Sequence, residues 1–160
     1  MIRNSRASLI ESAMLTAKLW AELRSKGTTK VGAVVVHEES GGLFFGYNGL
    51  PAGMPDDNEI WSTGIKHDFV VHAEENAINK AIGALGYPLV GCEIAITMYP
   101  CLACCRRIAM SGIKHVYYLD DSADCLANEN SGSRARLLAG CHIQMWRLQN
   151  KYTVQIKENA

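Results

Sequence analysis

Two short stretches, His72-Ala73-Glu74 and Pro100-Cys101-Leu102-Ala103-Cys104, set a histidine, a glutamate and two cysteines at spacings that suit a metal ion and proton transfer. Each opens a segment that reads as a helix, over 72–85 and 101–111, with a strand from Cys92 to Met98 between them. If these ligands meet, the fold must bring two helix N-termini to one point. Cys101 and Cys104 are three residues apart, which at a helix start puts both sulfurs on one side of the first turn. The positive end of a helix favours the thiolate form, and Pro100 stands just before the helix, where a missing N–H costs nothing. One imidazole and two thiolates supply three protein ligands to a tetrahedral zinc and leave one position open. Such a centre is formally neutral and still lowers the pKa of a water. Glu74, two residues after His72, is placed to take that water's proton and pass it on. Two alternatives stand beside this one. Cys105 offers a fourth ligand for a closed structural zinc, but a neighbour at i+1 points away from the i, i+3 face. A redox Cys-x-x-Cys leaves His72 and Glu74 without a role.

The rest of the chain reads as alternating helices and strands. Apolar residues from Leu9 to Leu23 recur near helical spacing over 8–25, with Ser8 and Glu11 as a capping box and Gly27 as the stop. A β-branched strand over 31–37 and a second over 43–47 flank a turn at Gly41-Gly42. A loop over 49–68, rich in Gly, Pro and Asp, is long enough to be functional. Further strands are expected over 114–119 and 142–148, with a loop over 120–132 and a helix over 133–139 between them. This is an α/β sheet with helices on both faces. The 160 residues make one domain, 1–160, large enough to bury a core without disulfides. Sixteen basic residues balance sixteen acidic ones, so the charge lacks the footprint of a nucleic-acid binder. No apolar run approaches the ~20 residues of a membrane span, and the first residues are polar and basic rather than a signal peptide. An intracellular, cytoplasmic protein is expected, in which clustered cysteines mean metal or catalysis rather than bridges.

These motifs, in this order, match the zinc deaminase signature. From about residue 8 to about residue 148 the chain resembles the deoxycytidylate (dCMP) deaminase family of the cytidine deaminase superfamily. The resemblance is carried by Arg24-Ser25-Lys26, Val31-Gly32-Ala33, Gly46-Tyr47-Asn48-Gly49-Leu50-Pro51-Ala52-Gly53, His72 to Ile78, the Pro100–Cys104 motif and Ser111-Gly112-Ile113-Lys114. It implies a cytidine deaminase-like three-layer α/β/α fold with a five-stranded mixed sheet. It implies hydrolytic deamination of dCMP to dUMP and ammonia, supplying dUMP for thymidylate synthesis. Zn²⁺ would be held by His72, Cys101 and Cys104, and Glu74 would be catalytic, protonating N3 of the pyrimidine. Asn48 would contact the sugar, Ala73 would line the substrate, and Arg24, Ser25 or Lys26 would sit near the phosphate. The resemblance also implies a homo-oligomer, a hexamer favoured, activated by dCTP and inhibited by dTTP with Mg²⁺ accompanying the nucleotide. Its effector site would lie around Gly49, Leu50, Asp56 and Asp57.

This sequence has Gly27 and Met54 where some members carry cysteines for a second zinc, so one zinc per subunit is expected. The loop from Asp120 to Ser131 lacks the tyrosine that many members place near the base. A pocket that also takes dCTP or a C5-modified dCMP, and an inactive zinc-bearing nucleotide-binding subunit, are the competing functions. A tRNA deaminase predicts a basic tail, whereas only two lysines follow Lys114. His67, in the long loop near the catalytic helix, reads as a surface residue, with an approach to the pocket as the alternative, and His37, His115 and His142 as structural residues at strand ends. Cys92, Cys105, Cys125 and Cys141 read as small apolar or partly exposed thiols. Trp20 and Trp146 read as core or interface aromatics, and Trp61 as a loop aromatic that could line a nucleotide or subunit contact.

Overall fold

The computed structural model describes residues 5–119 and 131–149. In chain order the elements are α1 (Ser5–Arg24), β1 (Gly32–His37), β2 (Gly42–Tyr47), α2 (Asn58–Ser62), α3 (Lys66–Phe69), α4 (Ala73–Leu85), β3 (Cys92–Ile96), α5 (Leu102–Ser111), β4 (His115–Tyr118), α6 (Ser131–Gly140) and β5 (Gln144–Arg147). The strands form one mixed sheet in the order β2-β1-β3-β4-β5. β1 is antiparallel to both neighbours, while β3, β4 and β5 run parallel, joined by the crossover helices α5 and α6.

The layering follows from strand alternation. Val34 and Val36 of β1, with Ala95 of β3, face Ile10, Ala13, Met14 and Ala17 of α1. Ala33 and Val35, with Ile94 and Ile96, face the other way onto Ala77, Ile78 and Ala81 of α4 and Ile108 of α5. Because both faces are covered, β1 is buried along nearly its whole length and reads as a continuous apolar run. This is the five-stranded mixed α/β/α sandwich expected from the sequence.

The element boundaries differ in instructive ways. α1 begins at Ser5, so Ser8 lies inside the helix, its carbonyl accepting from the Ser12 hydroxyl, and does not open a capping box. α1 stops at Arg24, one residue short of the expected 25. The segment 49–68 is not a plain loop. It contains α2, capped by the Asp57 carboxylate on the Ile60 N–H at 3.1 Å, and the single turn α3. The last strand is shorter than 142–148, and the last helix extends to Ser131 and Gly140. The expected loop over 120–132 lies outside the described residues up to 130, as do Cys125 and the tail after Asn150.

Register places the functional end of the sheet. Gly32 pairs with Tyr47 and Ala33 with Ile96, so the start of β1 and the carboxyl ends of β2 and β3 lie side by side. α4 crosses β2 there at very short range. A Cβ on Gly46 would lie 2.2 Å from the Ala73 carbonyl oxygen and 2.6 Å from the Ala77 nitrogen, so no side chain fits. The Asn76 amide donates to the Tyr47 carbonyl at 2.8 Å and the Lys80 ammonium to that of Phe45 at 2.7 Å. The residues leading into α4 are held as well, because Gly49 and Val71 exchange backbone hydrogen bonds of 3.1 and 2.9 Å.

Candidate metal centre and active-site cleft

His72 and Cys101 are the N-cap residues of α4 and α5, both in extended backbone conformation, and the His72 side chain does not bond its own helix. The caps face each other instead. His72 Nδ1 lies 3.6 Å from Cys101 Sγ and 3.4 Å from Cys104 Sγ. The three ligating atoms fall within 4.8 Å of one another, the one such group of His, Cys, Asp or Glu among the described residues. Two helix N-termini thus converge as the sequence spacing requires. Cys105 is not in the group. It is fully buried, directs its thiol to the Pro100 carbonyl at 3.6 Å, and burial pushes that thiol up to about 12.

The thiol pair is poised to lose protons to a metal. The hydrogen bond from Cys104 holds the Cys101 thiol down, to about 3, with His72 adding to it against the cost of burial. Cys104 is held up, first by that same bond and then by burial and by Glu74. One thiolate therefore forms readily, and a divalent cation would displace the second proton. His72 is raised, chiefly by its bond to Cys101. Imidazole with two sulfurs is a donor set that suits zinc.

Glu74 lies in the first turn of α4 and is 4% exposed, with burial raising its carboxyl above the ordinary range. Its carboxyl meets the Cys104 thiol. A buried carboxyl with a raised pKa beside a ligand cluster is suited to taking up and giving back a proton.

The cluster opens into a cleft of about 260 Å³. Of the residues singled out in the sequence, His72, Ala73, Glu74, Cys101 and Asn48 line it. Asn48 is heavily engaged. Its Oδ1 accepts from Ser25 Oγ at 2.7 Å and from the Val31 N–H at 2.9 Å, and its Nδ2 donates to the Thr29 carbonyl at 2.8 Å. One amide hydrogen is left for a ligand, so Asn48 offers a donor and no acceptor.

The Arg24–Lys26 turn is not in the cleft wall. The Arg24 guanidinium lies over the rings of Trp20 and Tyr47, at 5.7 and 5.6 Å. Ser25 is buried beneath Asn48, and the Lys26 ammonium pairs with Asp56 at 2.5 Å. Asp56 also accepts from Trp61 Nε1 at 2.6 Å, and Asp57 caps α2, so both aspartates have local structural partners. Gly49 clasps Val71, and Leu50 follows it, half-buried.

Several further residues line the cleft outside the set assigned to metal and substrate. Thr28 and Thr29 stand at the rim, with Trp61, Lys66 and His67 from the 49–68 segment and Tyr99 after β3. His67 is exposed, as expected, yet borders the cleft. Below the cleft lies a further unexpected group. Arg134 of α6 is 2% exposed, donates to the Pro100 carbonyl at 3.3 Å, and sits 5.2 Å from the Tyr99 ring centroid. Its Nε has no hydrogen-bond partner among the described residues. No local pattern announces Arg134, because its partners are more than thirty residues away.

Residues 7–120 match the family model described as the cytidine and deoxycytidylate deaminase zinc-binding region. The chain therefore belongs to the cytidine and deoxycytidylate deaminase family of zinc enzymes. Among curated relatives, the deoxycytidylate deaminase of Homo sapiens is 31% identical over 134 residues, covering 80% of this chain and 72% of that protein. A probable deoxycytidylate deaminase of Caenorhabditis elegans is 39% identical over 105 residues, covering 62% of this chain but only 51% of the relative. In three dimensions the chain is similar to the dCMP deaminase of cyanophage S-TIM5 solved with dCMP and dUMP. The TM-score is 0.66 at 28% identity, covering 92% of this chain and all of that one.

Proposed function

We propose that this chain, as one domain over 1–160, is a zinc-dependent hydrolase that converts dCMP to dUMP and ammonia. The observation that carries the reading is the meeting of a His/Cys/Cys cluster and a buried carboxyl at the floor of one cleft. The relatives named as deoxycytidylate deaminases and the neighbour holding dCMP and dUMP support the substrate. His72, Cys101 and Cys104 would hold the zinc, which when bound supplies the Lewis acidity that makes a water nucleophilic near neutral pH. Glu74 takes the proton of the attacking water. It delivers that proton to N3 of the pyrimidine, so that C4 accepts the nucleophile, and then moves the proton of the new C4 hydroxyl to the amino group, which leaves as ammonia when the C4–N bond breaks and the C4 carbonyl forms. Asn48 contributes its remaining amide hydrogen as a donor, and Ala73 packs against the bound base or sugar. The cytoplasmic setting, the supply of dUMP for thymidylate synthesis, homo-oligomeric assembly and control by dCTP and dTTP with Mg²⁺ belong to this proposal through the family resemblance.

The test is ammonia release by the zinc-loaded protein from dCMP, CMP, dCTP and deoxycytidine, with dCTP or dTTP also added to the dCMP reaction. Preference for dCMP is the expected result. Turnover of dCTP would favour the broader pocket, and binding without turnover would favour a zinc-bearing nucleotide-binding subunit.

A further inference from the structure

A phosphate monoester brings between one and two negative charges into a cleft near neutral pH. The cations nearest in sequence to the expected phosphate contact are otherwise occupied. Arg24 lies over two aromatic rings, and Lys26 is neutralised by Asp56. Neither they nor Ser25 line the cleft.

Lys66 does line it. It is half-buried at the start of α3, and among the described residues no carboxylate lies within ion-pair distance of it, whereas Lys26 and Lys30 each have one. Its position is held from both sides. The Val70 N–H donates to the Lys66 carbonyl at 2.8 Å, and Val71, the residue before His72, is clasped to Gly49. From Phe69 to His72 is three residues, at most about 11 Å even if fully extended. Lys66 thus borders the same small cleft as His72, Glu74 and Cys101. Trp61 stands in the same wall, fixed by Asp56, which also holds Lys26 and so ties this segment to the 25–29 turn. At the rim, the Thr28 and Thr29 hydroxyls are further donors.

Building on the nucleotide reading above, we propose that Lys66 is the specificity-determining cation that pairs with the 5′-phosphate of the substrate. It distinguishes a nucleotide from a nucleoside, and the Arg24–Lys26 turn does not. The phosphate supplies the carboxylate-like partner that Lys66 lacks, in a partly desolvated setting where a charge-assisted hydrogen bond is strong.

The experiment compares zinc-loaded wild type, Lys66→Gln and Lys66→Arg on dCMP and deoxycytidine, with thermal melting to verify the fold of each. In Lys66→Gln the ratio of kcat/KM for dCMP to that for deoxycytidine should fall about 10–100-fold. The loss should appear in KM for dCMP rather than in kcat, as expected for binding energy felt equally in ground and transition states. Lys66→Arg should recover most of the ratio. An unchanged ratio in a folded Lys66→Gln protein would overturn the assignment. Should wild type deaminate neither compound, the deaminase reading fails by itself. The Lys66 assignment is then decided by calorimetric affinities for dUMP and deoxyuridine. Loss of the dUMP preference in Lys66→Gln upholds it, and retention refutes it.

Discussion

Cys101 is a residue whose chemistry changes entirely with the metal. In metal-free protein its thiol is held down to about 3 by Cys104 and His72, so it stays ionised from pH 8 down to pH 5. An ordinary thiol, near 8.5, loses about tenfold of its thiolate for each unit below that value. Iodoacetamide should therefore alkylate Cys101 of chelator-treated protein at a nearly constant rate over pH 5–8, and added zinc should abolish the reaction. A rate falling tenfold per unit would show that the pair does not share its proton as described. Cys105, buried and pushed up to about 12, should not react in the same assay. At Glu74 the expected outcome concerns rate. Glu74→Gln keeps a similar shape and loses the proton carrier, so turnover should fall about 10²–10⁴-fold while metal analysis still finds one zinc per chain. Near-normal turnover would remove Glu74 from the mechanism. These three side chains were legible in the sequence because each is fixed by a short local spacing at a helix start. The surroundings of Asn48 were not, since its partners Ser25, Thr29 and Val31 come from a turn before β1.

At the scale of elements, the site depends on how closely α4 and α5 approach the sheet and each other. Gly46 permits the α4 contact, so Gly46→Val must push the helix start away from β2. Overpacking of this kind typically costs about 1–3 kcal/mol, and backbone on the other side of the contact makes the upper end the expectation. Denaturant unfolding of the metal-free protein reads that loss directly. The same displacement carries His72 and Glu74 with it, so activity should fall by more than stability alone explains. Arg134 makes a second link, from α6 to the carbonyl that precedes Cys101. Arg134→Met removes a buried charge that has no carboxylate partner among the described residues, a change that often leaves stability near neutral. It also leaves the Pro100 carbonyl with the Cys105 thiol as its remaining donor, so zinc affinity measured by chelator competition should fall about 10–100-fold, as for other supporting contacts around a metal. Unaltered zinc affinity would reduce Arg134 to a packing residue. Helices and strands could be read ahead of the structure wherever apolar periodicity was strong, as in β1 and α4. α2 and α3 could not, because helices of five and four residues carry too little pattern to stand out from a polar loop.

For the molecule as a whole, one end of a five-stranded sheet collects everything the chemistry needs. The carboxyl ends of β2 and β3, the start of β1 and the first turns of α4 and α5 meet there. The segment 49–69 closes one side of the cleft through Trp61, Lys66 and His67. No helix among the described residues is long and apolar enough to cross a membrane. A single zinc at His72, Cys101 and Cys104 is proposed to make this cleft a deaminase. This is tested most directly by titrating zinc into metal-free protein and following ammonia release from dCMP against metal bound per chain. The rate should rise in proportion to zinc and level off at one equivalent, and Cys101→Ala should give neither high-affinity zinc nor turnover. Deamination by metal-free protein, or full occupancy with no ammonia released, would contradict the account.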